Sequence, residues 1–300
     1  MSANRSVKKY EIDMVNGPIL KNMLIFAIPL MASSVLQLLF NAADIIVVGR
    51  FVGDIALAAV GSNTALINLL TNFFIGLSIG ANVMVSHYFG AKKDEEMSST
   101  VHTSILMSVI SGIILTLVGV IFAPSILSIM QTPENILPLA TLYIRIYFAG
   151  VTSMMVYNFG AAILRAIGDT KRPLYYLFTA GIVNVILNLF FVIICKLSVA
   201  GVALATIISQ TISAALVIRC LMKSDGALRF EFKKLRFDTD KFVRIVKIGL
   251  PASFQSTLFS ISNVIIQSSI NSFGDVVVAG SSAASITVNK PNISTGSQMI

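Results

Sequence analysis

Long blocks of apolar residues, separated by short polar loops, are the feature that most constrains the fold of this chain. Seven such blocks run over residues 23–49, 56–86, 99–123, 138–164, 174–195, 199–221 and 248–271. Each is long enough to cross a hydrocarbon layer about 30 Å thick as a helix. Lipid permits only helices and closed barrels, and these blocks lack the alternating pattern of a barrel strand. We therefore predict an all-α membrane protein, a multi-span helical bundle.

Composition supports a membrane protein and argues against a nucleic-acid partner. The 300 residues are 55% hydrophobic and 12% charged, whereas about a quarter of the residues in a soluble domain are charged. The net charge of +8 is better explained by basic loops on one side of a membrane, so no nucleic acid is expected to bind. Cys195 and Cys220 lie at opposite ends of one predicted hairpin, which predicts neither a disulfide nor a metal centre.

The distribution of Lys and Arg predicts the orientation. If the N-terminus is cytoplasmic, 18 of the 22 Lys and Arg residues fall in cytoplasmic segments, as the positive-inside rule requires. The first 22 residues are polar, and the apolar block after them is too long for a cleavable signal. We predict a multi-pass protein of the inner (plasma) membrane with a cytoplasmic N-terminus, whose basic loops contact membrane lipids.

The blocks group into two unequal parts. We predict a cytoplasmic N-terminal segment at 1–22, a complete first six-helix lobe at 23–221, a basic cytoplasmic linker at 222–247, and the start of a second lobe at 248–300. The last part holds the seventh span and an incomplete eighth, because the sequence becomes polar after Val288. We expect a chain truncated in its second lobe.

A weak internal repeat relates the first and seventh spans. Pro29 near the start of the first span aligns with Pro251 near the start of the seventh, and Gly53-Asp54 aligns with Gly274-Asp275. Six spans separate the two copies, so both begin on the same side of the membrane. Parallel repeats of this kind are common in transporters.

Asp44 is the one Asp or Glu of the 14 that lies within a predicted span. A charge there is costly, and such residues usually face a cavity on an ion or substrate pathway. Asn188 and Thr206 lie at a similar depth, about 9–12 Å below the outer boundary at ~1.5 Å per residue, and Asn184 shares a helical face with Asn188. We predict an ion-coupling site formed by Asp44, Asn184, Asn188 and Thr206. A carboxyl group in a low-dielectric site holds a proton more readily than in water.

Other polar residues in the spans predict a substrate pocket, although hydrogen bonding between helices would equally explain them. Pro29 permits a bend in the first span, so protonation of Asp44 could favour a bent or a straight helix. The predicted pocket residues are Gln37 and Asn41 on the face of Asp44, Thr64 and Asn68 in the second span, and Asn158 in the fourth. In the second span, Asn72 continues the row that Thr64 and Asn68 begin.

Several stretches of the sequence resemble the multidrug and toxic compound extrusion (MATE) family, in its bacterial form. The most specific is "ILRAIGDTKRPLYY", residues 163–176; "NAADIIVVGRFVGDIALAAVG" and the Pro-led starts of spans one and seven also match. The resemblance covers about residues 12–285. It implies a twelve-helix protein of two lobes that exchanges H⁺ or Na⁺ for small amphipathic or cationic substrates, xenobiotics and drugs among them, by alternating access. The chain then needs no cofactor beyond the coupling ion.

The resemblance assigns a first-lobe ion site to Asp44, Asn184 and Thr206. Many relatives have Asp where this chain has Asn188, which weakens a Na⁺ site more than a proton site, so H⁺ is preferred while both ions stay open. The alternatives are a lipid-linked saccharide flippase of a sibling family and a non-transporting truncated fragment. No catalytic residue is expected: His87 and His102 lie near span ends and are expected to be solvated, and there is no phosphate-binding glycine loop.

Overall fold

The computed structural model describes residues 18–287, which form a bundle of nine α-helices over that range. A π-helical turn, Phe190–Ile194, extends α6, and two short 3₁₀ turns, Gly226–Leu228 and Phe232–Lys234, precede α8. The α-helices are α1 (Ile19–Phe51), α2 (Asp54–Gly90), α3 (Asp94–Ile129), α4 (Leu137–Ala149), α5 (Val151–Ala166), α6 (Lys171–Leu189), α7 (Ser198–Lys223), α8 (Thr239–Asn271) and α9 (Asp275–Thr287).

Most of these helices are long and apolar enough to cross a membrane, which confirms the predicted helical membrane bundle. In the described range, α1, α2, α3, α6 with its π turn, and α7 meet that requirement singly, and α4 and α5 meet it together as a pair bent by 48°. Large apolar side chains such as Ile121 and Ile186 are exposed on the outside, where lipid would cover them. The predicted seventh span lies within α8, but Ser, Thr, Gln and Asn recur along this helix and it does not meet the same requirement.

The internal repeat is visible in the local geometry. Gly53 and Gly274 both have positive φ values, 113° and 93°, which favour glycine because it has no Cβ. Each is followed by an aspartate, Asp54 or Asp275, that begins the next helix. The two matched sequences therefore share a glycine with positive φ at the junction between two helices.

Helix α8 begins nine residues earlier than the predicted span, so only residues 224–238 connect α7 to α8. Its start is capped by Asp238, whose Oδ1 accepts hydrogen bonds from the backbone N–H groups of Asp240 (3.0 Å) and Lys241 (3.2 Å). An aspartate at this position satisfies N–H groups that have no partner inside the helix. These bonds, the backbone N–H of Lys241 first, lower the pKa of Asp238.

The connecting segment, predicted only as a basic cytoplasmic linker, packs against α3. Phe230 is 2% exposed and stacks on the ring of His102, with 5.3 Å between ring centroids. His102 is itself 2% exposed, not solvated as predicted, and its Nε2 accepts a hydrogen bond of 3.1 Å from the backbone N–H of Glu231. Lys241 is buried too, and pairs with Glu96. Long-range contacts of this kind leave no signal in the local sequence.

Asp238→Ala is expected to destabilise the protein by about 1 kcal/mol, the usual loss for a helix N-cap, while Asp238→Asn retains most of the cap. Because the folded state lowers the pKa of Asp238, its charge stabilises the fold above the unfolded pKa of about 3.9. That contribution is lost as pH falls through the folded value. Unfolding of the detergent-solubilised protein at pH 7 and pH 3 measures both effects. Equal stability of wild type and Asp238→Ala at pH 7 would contradict the assignment.

Small residues bring α2 and α8 into backbone contact. Gly76 and Gly80 of α2 are four residues apart, a spacing that lets membrane helices approach closely, and they face Gly249 and Ser253 of α8. A Cβ built on Gly80 would lie 2.1 Å from the backbone oxygen of Ile245, and one on Gly76 would lie 2.5 Å from the Cα of Ser253. We call this contact the glycine seam.

The turn between α5 and α6 contains the most specific part of the sequence resemblance. Gly168 has a φ of 85°, and Asp169 after it is fully buried and pairs with Arg172. The Tyr157 hydroxyl donates a 3.1 Å hydrogen bond to the carbonyl of Pro173. Burial raises the pKa of Asp169, and the hydrogen bonds and charge of Arg172 oppose that rise. The motif thus closes a tight, internally bonded turn that fixes α6 against α5.

Candidate ion-coupling site

Asp44 of α1 lies inside the bundle and forms a chain of hydrogen bonds with two other helices. Its Oδ1 accepts from the Nδ2 of Asn188 in α6. The same Nδ2 lies 3.2 Å from Asn184 Oδ1, and Asn184 Nδ2 donates to the Thr206 hydroxyl of α7 at 3.4 Å. The exposed fractions are 9% for Asp44, 5% for Asn184 and 0% for Asn188. The structure therefore joins all four residues predicted for the ion site, which we call the polar chain.

Helix packing explains why these residues meet. The i, i+4 spacing puts Asn184 and Asn188 on one face of α6, and α1 approaches that helix at Gly181. A Cβ built on Gly181 would lie 1.8 Å from Cζ of Phe40, so only glycine admits this ring. Phe40 is one helical turn from Asp44, and Gly181 is two turns from Asn188. The close packing of Phe40 on Gly181 therefore sets the distance between Asp44 and Asn188.

The polar chain has more hydrogen-bond acceptors than donors. While the Thr206 hydroxyl donates to the carbonyl of Val202, at 2.9 Å, its single proton is not available to Asp44. Asn188 Oδ1 is buried, and no donor among the described residues reaches it. A carboxylate beside an unsatisfied amide oxygen favours the arrival of a proton or a cation, because either would supply the missing positive partner.

The residues predicted to line a substrate pocket are not part of the polar chain. Gln37, Asn41, Thr64 and Asn68 are exposed on the surface of the described bundle. Asn158 is half-buried, and its amide donates to the carbonyl of Met154 at 2.8 Å. Their role in a pocket stays a prediction. Asn72, in the same row as Thr64 and Asn68, instead bonds the Ser260 hydroxyl of α8 at 3.1 Å, which joins two helices.

Pro29 lies within α1, which continues through it from Ile19 to Phe51. The Ser33 hydroxyl donates to the carbonyl of Pro29 at 2.8 Å, a bond from a side chain to its own helix. The proposed bending role of Pro29 stays a prediction.

Two residues close to the polar chain were not predicted from the sequence. Tyr147 of α4 and Gln210 of α7 border a small cavity together with Thr206. Gln210 follows Thr206 by four residues and therefore shares its helical face, a signal that the sequence already carried. Tyr147 gave no comparable signal, because its position depends on the bend between α4 and α5.

The family model described as MatE matches residues 29–190, which is more than half of the chain and includes Asp44, Asn184 and Asn188. The chain belongs to the MATE family. This family consists of membrane transporters, in agreement with the apolar helices described above.

Curated relatives are similar over most of this chain. The probable multidrug resistance protein YoeA of Bacillus subtilis (strain 168) is 32% identical over 86% of this chain and 58% of its own length. The multidrug export protein MepA of Staphylococcus aureus (strain NCTC 8325 / PS 47) is 23% identical over 88% of this chain and 58% of its own. The MATE chain described here thus spans a little under two thirds of the length of these relatives.

Solved MATE structures share the fold. The inward-facing conformation of a multidrug resistance MATE family transporter of the MOP superfamily is 25% identical, with a TM-score of 0.78 over 88% of this chain and 60% of that one. The outward-facing conformation of such a transporter is 24% identical, with a TM-score of 0.83 over 98% of this chain and 65% of that one. The helical arrangement of this MATE protein therefore resembles both conformations.

Proposed function

We propose that this MATE protein takes part in the export of small amphipathic or cationic compounds, driven by entry of H⁺ through Asp44. One observation carries the proposal: a buried carboxyl group bonded to Asn188, whose own Oδ1 has no donor within the described residues. Binding a proton removes the cost of a buried charge and turns Asp44 from an acceptor into a donor. The names of the relatives support drugs as the class of substrate.

Coupling requires that protonation alter the contacts of Asp44. The ionised group accepts from Asn188 Nδ2, whereas the protonated group would donate to an acceptor such as Asn188 Oδ1. The amide of Asn188 is linked to Asn184, and through it to Thr206. Protonation of Asp44 would therefore alter hydrogen bonds that connect α1, α6 and α7. A local change of charge would in this way change the packing of these helices.

The side of the membrane at which the proton enters follows from the proposed orientation. With the N-terminus cytoplasmic, Asp44 lies closer to the outer end of α1, seven residues before its last residue, Phe51. Protons from outside the cell would then reach Asp44 before protons from the cytoplasm. The substrate would leave the protein as these external protons bind.

Reconstitution in liposomes tests the proposal. Export of a fluorescent cationic dye such as ethidium is measured under an inward H⁺ gradient and, separately, under an inward Na⁺ gradient at constant pH. We expect the H⁺ gradient to accelerate dye movement and the Na⁺ gradient to have little effect. Acceleration by Na⁺ alone would contradict H⁺ coupling, and no acceleration by either gradient would contradict the proposed export.

Asn188→Asp is expected to increase the response to Na⁺. The substitution places a second carboxylate beside Asp44, and oxygen ligands with negative charge favour a hard cation. Two carboxylates sharing a site also repel each other unless a cation or proton lies between them. The same dye assay, run under each ion gradient in turn, checks this. If dye export by Asn188→Asp still does not respond to a Na⁺ gradient, the number of carboxylates does not determine which ion is coupled.

A further inference from the structure

Gln210 of α7 has a buried polar atom with no protein partner. Its Oε1 is inaccessible to solvent, and no donor in the part of the chain that the structure describes reaches it. Four buried side-chain polar atoms in residues 18–287 are in this condition. Two of the four, Asn188 Oδ1 and Gln210 Oε1, lie on the two helices that meet at Thr206. An unsatisfied buried oxygen costs about 1–3 kcal/mol, and buried polar atoms in folded proteins usually bind a protein group or an ordered water.

Gln210 also lines a small cavity. The cavity has a volume of about 10 Å³, and its lining comes from α4, α5 and α7, including Tyr147, Met154, Thr206 and Gln210. A cavity of about that size holds one water molecule, provided that polar groups are present to bind it. Gln210 and Thr206 are such groups.

The bend between α4 and α5 explains why the cavity exists. The helices meet at Gly150 with a 48° change of direction, and a Cβ built on Gly150 would lie 2.4 Å from Cγ1 of Ile207. Helix α7 therefore packs directly against the bend. Tyr147 and Met154, on opposite sides of the bend, are brought together, with 3.5 Å between the tyrosine hydroxyl and the methionine sulfur. Sulfur is a weak acceptor, so this hydroxyl would gain from an oxygen partner.

The hydrogen-bonding capacity of the surrounding groups matches one water. Gln210 Oε1 needs a donor. The Thr206 hydroxyl donates to Val202 and accepts from Asn184, which leaves one lone pair free. A water molecule has two protons for these two oxygens, and its own oxygen can accept from the Tyr147 hydroxyl.

We propose that this cavity is a binding site for one ordered water that joins Gln210 to Thr206 and so extends the polar chain from Asp44. Gln210 is then a positioning residue: it fixes the water, the water fixes the Thr206 hydroxyl, and that hydroxyl orients the amides of Asn184 and Asn188. The effect on transport rests on the proposed function of Asp44, whereas the binding of water does not.

Two substitutions on α7 separate this role from general packing. Gln210→Met keeps a similar length and removes the strong acceptor, whereas Thr211→Val, at the next residue, removes a hydroxyl that faces Ser153 and solvent. Loss of a hydrogen bond of ordinary strength predicts that Gln210→Met slows H⁺-driven dye export about two- to tenfold. It also predicts a changed pH dependence, while Thr211→Val retains the wild-type rate and pH profile.

The deciding measurement is an experimental density map of the wild-type protein at a resolution that shows ordered water, with the map of Gln210→Met beside it. Density within hydrogen-bonding distance of Gln210 Oε1 and Thr206 Oγ1, lost in the variant, is the expected result. A dry cavity in the wild type would overturn the inference, even if Asp44 proves essential. Ordered water in a protein that shows no H⁺-driven export would leave the inference standing and refute the proposed function. If Gln210→Met does not fold, the wild-type map alone decides.

Discussion

Asp44→Asn should abolish dye export driven by a pH gradient while leaving the protein folded. Asparagine matches aspartate in shape and can still bond Asn188, but an amide cannot take up and release a proton near neutral pH. Because Asp44 is the one carboxylate of the polar chain, no other member can replace it. The measurement is ethidium export from liposomes at an imposed pH gradient, with thermal unfolding of the same preparation to show that the variant is folded.

Asp54→Asn is the matched control for this experiment. Asp54 is ten residues along the chain, at the start of α2, and its side chain is exposed, so its neutralisation should leave export close to wild type. Undiminished H⁺-driven export by Asp44→Asn would refute the role of Asp44. Equal loss in both variants would show that the assay responds to carboxylates in general.

Gly80→Val is the second change with a large expected effect, this time on stability. The Cβ of a valine at position 80 would lie 2.1 Å from the backbone oxygen of Ile245. A helix backbone cannot rotate away from this clash as a side chain can. Overpacking usually costs about 1–3 kcal/mol, and we expect a loss at the upper end of that range. Unfolding by denaturing detergent, followed by circular dichroism, measures it.

Gly90→Val controls for the general cost of placing valine in α2. Gly90 is the last residue of the same helix, and a Cβ there would have no neighbour within 4 Å. Its substitution should change stability little. Equal stability of Gly80→Val and wild type would mean that the two helices separate without loss, and that the glycine seam does not stabilise the bundle.

The helical spans and the grouping of the four polar-chain residues could be predicted from the sequence because both depend on local patterns. The apolar blocks are long enough to specify helices without any tertiary information. Asp44 was conspicuous because a carboxylate in such a block is costly. Counting residues from the span ends placed Asn188 and Thr206 at a similar depth to Asp44.

The features that the sequence did not predict depend on contacts between distant residues. His102 gave no sign that it would be buried, because Phe230 and Glu231, its partners, are more than 120 residues away in the chain. The start of α8 at Thr239 is different: the Asp238 cap could have been recognised, but the charged residues after it favoured a loop. Gly76 and Gly80 carried a packing signal as well, and only the structure identifies α8 as their partner.

The glycine seam also limits how α8 can move relative to α2. At Gly80 the two main chains touch with no side chain between them, so a small rotation about this point changes few contacts. A displacement along the helix axis would instead bring a side chain of α8 into the space that Gly80 leaves open. We therefore expect α8 to rotate about its contact with α2 more readily than it moves along the axis of α2.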